Sequence, residues 1–182
     1  MSRDKKIVLI TGGARSGKSR YAEGRVEHLG SKLLYVATGE AKDEEMAQRI
    51  AEHRKRRNEK WLTIEEPLEV GRVLTEHCGK IDCALTDCLT LWVSNLLIQS
   101  GEKQVRRAVE ELIQKLPQFD FHLLLVTNEV GWGIVPDSPL ARQFRDLAGW
   151  TNQRMAEIAS EVVLMVAGIP VVVKKVEGQR KA

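Results

Sequence analysis

The chain has 182 residues, of which 43% are hydrophobic and 29% charged, and its formal net charge is +3. That length suits one α/β domain, 1–182, with a real buried core, and leaves no room for a second independent unit. The balanced charge excludes a nucleic-acid binder held by bulk electrostatics, so no nucleic-acid partner is expected.

The opening Met-Ser-Arg-Asp-Lys-Lys lacks the apolar core of a signal peptide, and no apolar run reaches the length of a membrane span, so a soluble, cytoplasmic protein is expected. Residues 7–10, Ile-Val-Leu-Ile, read as a buried strand. Next comes Gly12-Gly13-Ala14-Arg15-Ser16-Gly17-Lys18-Ser19, which matches every fixed position of the phosphate-binding loop G-x-x-x-x-G-K-[ST], and 19–29 follow as a predicted helix. The chemistry accounts for the residue types. Backbone N–H groups curl around a triphosphate, so glycine is needed where the chain turns sharply or approaches a phosphate. Lys18 supplies positive charge to the β- and γ-phosphates, Ser19 offers a hydroxyl to Mg²⁺, and the helix N-terminus adds its partial charge.

Residues 33–37 form the next apolar run, ending at Thr38-Gly39-Glu40. The densest charge then lies in 42–60. On a helix, Met46, Ile50, His53 and Arg57 share one side, which puts His53 among Arg49, Arg54, Lys55, Arg56 and Arg57. Neighbouring positive charge favours a neutral imidazole, and a neutral imidazole beside a phosphate is a nucleophile. The plainer alternative is a solvated charged face. His28, His77 and His122 read as surface or packing residues.

Residues 83–86 are a further strand, and Asp87 at its end is the candidate acidic partner of the phosphate loop, holding Mg²⁺ directly or through water. The alternative is a carboxylate capping the helix that begins near Leu89. Cys78, Cys83 and Cys88 are odd in number and spaced by five, which fits neither a disulfide framework nor a zinc site. Cys83 reads as strand core and the other two as incidental.

Residues 123–127 run into Asn128-Glu129-Val130-Gly131, with Glu129 a second strand-end carboxylate able to act as a base or near a metal. The Gly131-Trp132-Gly133 that follows suggests a loop that approaches something closely. Trp132, Ile134, Val135 and Trp150 read equally well as the wall of an apolar cleft or as core. Residues 162–166 are the last long apolar run. Gly168-Ile169-Pro170 is too tight for a parallel crossover, so 171–173 are predicted to return antiparallel at an edge. Alternating runs and helices imply a mainly parallel sheet covered on both faces, with ligands outside the carboxyl ends of the strands.

Several blocks together resemble the bifunctional adenosylcobinamide kinase / adenosylcobinamide-phosphate guanylyltransferase family of cobalamin biosynthesis. They are the phosphate loop with Thr11 and Arg20, Tyr35-Val36-Ala37-Thr38-Gly39-Glu40, His53-Arg54, Thr86-Asp87-Cys88-Leu89-Thr90, Thr127-Asn128-Glu129-Val130-Gly131, and Arg145-Asp146-Leu147-Ala148-Gly149 with Asn152. The last two are far more selective than the loop alone. The resemblance implies a RecA-like P-loop fold, a homo-oligomer that can be a trimer, and ATP and GTP as substrates. It also implies phosphorylation of adenosylcobinamide followed by GMP transfer from GTP to adenosylcobinamide-phosphate through a guanylylated His53. By the same carry-over the nucleotide contacts 12–19, Ala37, Thr38, Gly39, Arg54, Lys55, Arg56, Arg57, Glu65 and Asp87. The rival readings are a P-loop kinase of another small metabolite and a RecA-like ATPase or switch module.

Overall fold

The computed structural model describes residues 5–40, 44 and 59–176. Met46, Ile50, His53 and Arg57, read from sequence as sharing one side of a helix, therefore lie outside the described residues, as do Arg49, Arg54, Lys55 and Arg56. The chain begins with β1 (Ile7–Gly12), α1 (Lys18–Glu27), β2 (Leu33–Ala37) and β3 (Trp61–Glu65). It continues through α2 (Val70–Glu76), β4 (Cys83–Asp87), α3 (Leu89–Ser100) and α4 (Glu102–Lys115), then a short 3₁₀ turn (Leu116–Gln118). It closes with β5 (His122–Val126), α5 (Pro139–Ile158), β6 (Glu161–Val166) and β7 (Ile169–Lys175).

The strands form one seven-stranded sheet in the order β3-β2-β4-β5-β1-β6-β7. Every neighbouring pair is parallel except β6 and β7, which run antiparallel as the tight Gly168-Ile169-Pro170 connection requires. One strand was not expected: β3, just beyond the charged stretch 42–60 and not among the apolar runs read as strands, pairs in parallel with β2 from Leu33↔Trp61 to Ala37↔Glu65. It is an edge strand with only Trp61 buried, so it lacks the continuous apolar run that marks the central strands.

Alternation along each strand feeds two cores. Leu9, Leu34, Leu123 and Leu125 face the layer built by α2 to α5, around Trp92, Val109, Leu147 and Met155. Val8, Ile10, Leu33, Leu85 and Leu124 face α1 through Ala22 and Val26. A bidentate ion pair fastens α1 to the sheet: Arg25 Nη1 and Nη2 donate to Glu161 Oε1 and Oε2 at 2.5 and 3.1 Å. A second such pair, Arg154 with Glu110, joins α5 to α4. Cys83 and Cys88 are both buried, and burial pushes each thiol up to about 12, so these are packing groups and not nucleophiles. The three described histidines are likewise structural: the His28 and His77 rings bond to Gly24 and Val73 carbonyls, and His122 Nδ1 accepts the Lys6 N–H.

Candidate functional site

The sheet order places the site. β1, which carries the phosphate loop, and β4, which carries Asp87, are separated by β5 alone, so the carboxyl ends of all three strands form one row. Register extends the row outward, since Ala37 is level with both Asp87 and Glu65. Four of the predicted contact points thus come together from β1, β2, β3 and β4.

Within the loop, glycine is obligatory where the backbone turns. Gly12 has φ +147°, and a Cβ there would meet the Met165 carbonyl oxygen at 2.5 Å. Gly17 takes a left-handed conformation, φ 93°, as it hands the chain into α1. Gly13, Ala14 and Arg15 are exposed, Ser16 and Ser19 half-buried, and Gly168 N–H donates to the Ser16 carbonyl at 3.0 Å, so the β6–β7 turn braces the loop. Lys18 is buried, 6% exposed, beneath this curl. Its Nζ donates to the Gly13 carbonyl at 2.5 Å and toward Ser16 Oγ at 3.4 Å. Burial lowers the Lys18 pKa, while Asp87, Cys88 and Glu129 oppose that shift through their charge. A desolvated ammonium facing two carboxylates is a cation preorganised for a polyanion.

Asp87 Oδ2 accepts the Tyr35 hydroxyl at 3.0 Å. The capping alternative fails, because α3 starts after Cys88 and has no side-chain cap. Thr38 is wholly buried, and its hydroxyl accepts the Cys88 N–H at 2.8 Å and donates to the Cys88 carbonyl at 2.7 Å. It clamps the turn that presents Asp87. Asn95 of α3 reinforces this clamp, donating to the carbonyls of Thr38 and Pro67 at 2.8 and 3.3 Å. Gly39 is half-buried beyond that clamp, and Glu65 is exposed at the end of β3.

Glu129 is held from two sides. Thr11 Oγ1 donates to its Oε1 at 2.5 Å and Asn152 Nδ2 donates to the same oxygen at 3.3 Å. Asn152, buried on α5, also accepts from Thr127 Oγ1 at 2.7 Å and donates to the Asn128 carbonyl at 3.2 Å. Thr90 Oγ1 accepts the Asn128 N–H at 2.7 Å. These residues lock the loop after β5, and Thr11, Asn152, Thr90 and Tyr35 were not singled out by sequence reasoning as members of the site. The available signals were their places in the blocks that carry the family resemblance and, for Asn152, a polar side chain amid the apolar face of α5.

Beyond Glu129 the chain lies open. Trp132, Ile134 and Val135 are 74%, 98% and 60% exposed, which excludes the core reading for all three. A Cβ at Gly131 or Gly133 meets nothing within 4 Å, so the close approach expected of this loop is not made within the described residues. Trp150 instead packs against the core beneath the Arg106 guanidinium, 4.8 Å from the ring centre. Arg142 ties the loop to α5 through the Pro136 and Asp137 carbonyls at 2.8 and 2.7 Å.

Among the described residues no group of three or more His, Cys, Asp or Glu is arranged as a metal cage, and no helix is long and apolar enough to cross a membrane. The oxygen donors of Ser19 and Asp87 fit Mg²⁺, a hard cation that takes one or two protein ligands and completes its shell with phosphate and water.

Residues 8–173 match the family described as CobU, cobinamide kinase / cobinamide phosphate guanyltransferase. The chain is 44% identical over 166 residues to the bifunctional adenosylcobalamin biosynthesis protein CobP of Pseudomonas aeruginosa, covering 91% of this chain and 96% of that one. To the bifunctional adenosylcobalamin biosynthesis protein CobU of Escherichia coli it is 41% identical over 181 residues, covering 92% and 99%. Among solved structures, one ATPase domain superposes with a TM-score of 0.58 at 12% identity, over 96% of this chain and 78% of that one. An ATPase from the type III secretion system of pathogenic bacteria gives 0.59 at 10% identity, over 88% and 51%. These two likenesses establish a P-loop, RecA-like fold and nothing finer.

Proposed function

The chain belongs to the cobinamide kinase / cobinamide phosphate guanyltransferase family, and on that premise we propose a bifunctional enzyme that phosphorylates adenosylcobinamide and then guanylylates the phosphate. The observation that carries the reading is the buried Lys18 ammonium, enclosed by the loop and facing Asp87 and Glu129 at neighbouring strand ends.

In the first reaction the substrate hydroxyl oxygen attacks the γ-phosphorus of ATP or GTP, the nucleoside diphosphate leaves, and the hydroxyl proton passes to a base. In the second, a His53 ring nitrogen attacks the α-phosphorus of GTP and pyrophosphate leaves. The phosphate oxygen of adenosylcobinamide-phosphate then displaces His53, which gives adenosylcobinamide-GDP and frees the histidine. Division into two displacements lets one side chain handle two bulky substrates in turn. Lys18 and the loop N–H groups stabilise charge developing on the phosphate oxygens. Ser19 and Asp87 would hold Mg²⁺, which neutralises phosphate charge and orients the chain of phosphates. Arg54, Lys55, Arg56 and Arg57 are assigned to the GTP phosphates by the same resemblance that assigns His53. The exposed Trp132, Ile134 and Val135 offer an apolar surface for the wide corrin. A homotrimer is the assembly that the resemblance supports.

Supplying adenosylcobinamide with Mg²⁺ and either ATP or GTP, and following products by mass spectrometry, tests the reading. ATP alone is expected to yield the phosphate, and GTP the GDP adduct. Nucleotide-binding protein that makes neither product contradicts the assignment.

A further inference from the structure

The kinase reaction has to remove a proton and the guanylyl transfer does not. An alcohol oxygen that bonds to the γ-phosphorus must shed its hydrogen, whereas a neutral imidazole nitrogen attacks through its lone pair and a phosphate oxygen attacks as an anion. We infer that Glu129 is the general base of the kinase step alone, taking the substrate hydroxyl proton on Oε2, and that Thr11 is a positioning residue that aims it. The inference rests on the bifunctional reading of the site.

Three observations support it. Glu129 is tied to the phosphate loop: its backbone N–H donates to the carbonyl of Gly12, the first loop residue, at 3.1 Å, and β5, which leads into it, lies directly beside β1. Its half-buried side chain also acts by charge on the Lys18 ammonium, the group that meets the terminal phosphates. The carboxylate is oriented as a base needs to be, because Oε1 accepts from Thr11 Oγ1 at 2.5 Å and from Asn152 Nδ2 at 3.3 Å, while no hydrogen bond holds Oε2 among the described residues. Asp87, the other carboxylate that acts on Lys18, already accepts the Tyr35 hydroxyl at 3.0 Å and is assigned to Mg²⁺, whose charge suppresses basicity. In the step itself the hydroxyl O–H bond breaks toward Oε2 as the bond from that oxygen to the γ-phosphorus forms. The bond from the γ-phosphorus to the bridging oxygen breaks, its electron pair leaves with the nucleoside diphosphate, and Glu129 passes the proton to solvent.

Both reactions draw on the same loop and Lys18, so a merely structural role for Glu129 would lower them together, and comparing them is the test. Full-length Glu129→Gln, Thr11→Val and Thr11→Ser are assayed for phosphorylation of adenosylcobinamide by MgATP and, separately, for GMP transfer from MgGTP to preformed adenosylcobinamide-phosphate. In Glu129→Gln the kinase kcat is expected to fall about 100-fold, with the KM for ATP within about twofold and transfer within about threefold of wild type. Thr11→Val is expected to lower the kinase kcat about five- to tenfold with the same sparing of transfer, and Thr11→Ser, which keeps the hydroxyl, to recover it. Should Glu129→Gln fail to fold, as read by its melting temperature, Glu129→Asp, which withdraws Oε2 by one methylene, is held to the same split between the two activities. Full kinase turnover in Glu129→Gln or Thr11→Val, or equal loss of both activities in either folded variant, overturns the inference. A wild-type chain that makes neither product overturns the bifunctional reading itself, and this one with it.

Discussion

Thr11 Oγ1 donates to Glu129 Oε1 at 2.5 Å, joining the end of the phosphate-loop strand to a carboxylate 118 residues away. Asn152 takes the same oxygen, and no hydrogen bond holds Oε2 among the described residues. Glu129 is therefore fixed through one oxygen and presents the other. Glu129→Gln keeps the shape and removes the charge. The expected result is a kinase kcat lower by about 100-fold, the scale of a lost general base, with the melting temperature within a few degrees of wild type. A variant that keeps full kcat assigns Glu129 to loop positioning alone.

Lys18→Met separates function from stability. Loss of the ammonium is expected to abolish triphosphate binding and both activities. The fold should be no less stable, because methionine fills the site without a buried charge. The sign follows from the lowered pKa: the native chain gives up the Lys18 proton more readily than the unfolded chain, so the wild-type penalty is full below the lowered value and is relieved as pH rises toward the ordinary 10.5. Thermal melts should show the variant's advantage shrinking over that alkaline range. An advantage that grows with pH contradicts the burial argument.

The Arg25–Glu161 pair makes an acid-side prediction. Hydrogen bonds from Arg25, partly opposed by burial, hold the Glu161 carboxyl below its ordinary 4.5. Its contribution is thus fully present above that value and lost as pH falls through the native one. Glu161→Gln is expected to cost about 1–2 kcal/mol at pH 7, given the two charge-assisted bonds. That corresponds to a fall of roughly 2–8 °C in Tm for a chain of this size, vanishing in strong acid. A deficit independent of pH would trace to packing instead.

The core strands were legible because each is a short apolar run ended by a polar or glycine residue, as at Thr11-Gly12 and Asp87. β3 was not, since an edge strand with only Trp61 buried carries little periodicity. The phosphate loop could be read from its spacing because every group it uses lies within eight residues of backbone, 12–19. The Thr11–Glu129–Asn152 lock could not, because its members meet only once β1, β5 and α5 have packed. The two readings of Trp132 and Trp150 separate for the same reason: one ring is 74% exposed and the other joins the core, although both are tryptophans beside glycine.

Gly12→Ala is expected to disable the site by sterics alone. Its φ of +147° and the 2.5 Å approach of the Met165 carbonyl leave an added methyl no room. A loss of about 2 kcal/mol or more in stability should accompany lost nucleotide binding, as read by denaturant titration and calorimetry. Normal binding by this variant would mean that the loop is not held against β6 as described.

The covalent step is open to direct measurement. Full-length protein is incubated with Mg²⁺ and α-labelled GTP, denatured, tested for acid lability and mapped by peptide mass spectrometry. The expected result is acid-labile GMP on the peptide containing His53, absent from His53→Ala while that variant still phosphorylates adenosylcobinamide. Intact, GTP-binding protein that retains no label, or that carries it on another residue, would contradict the account.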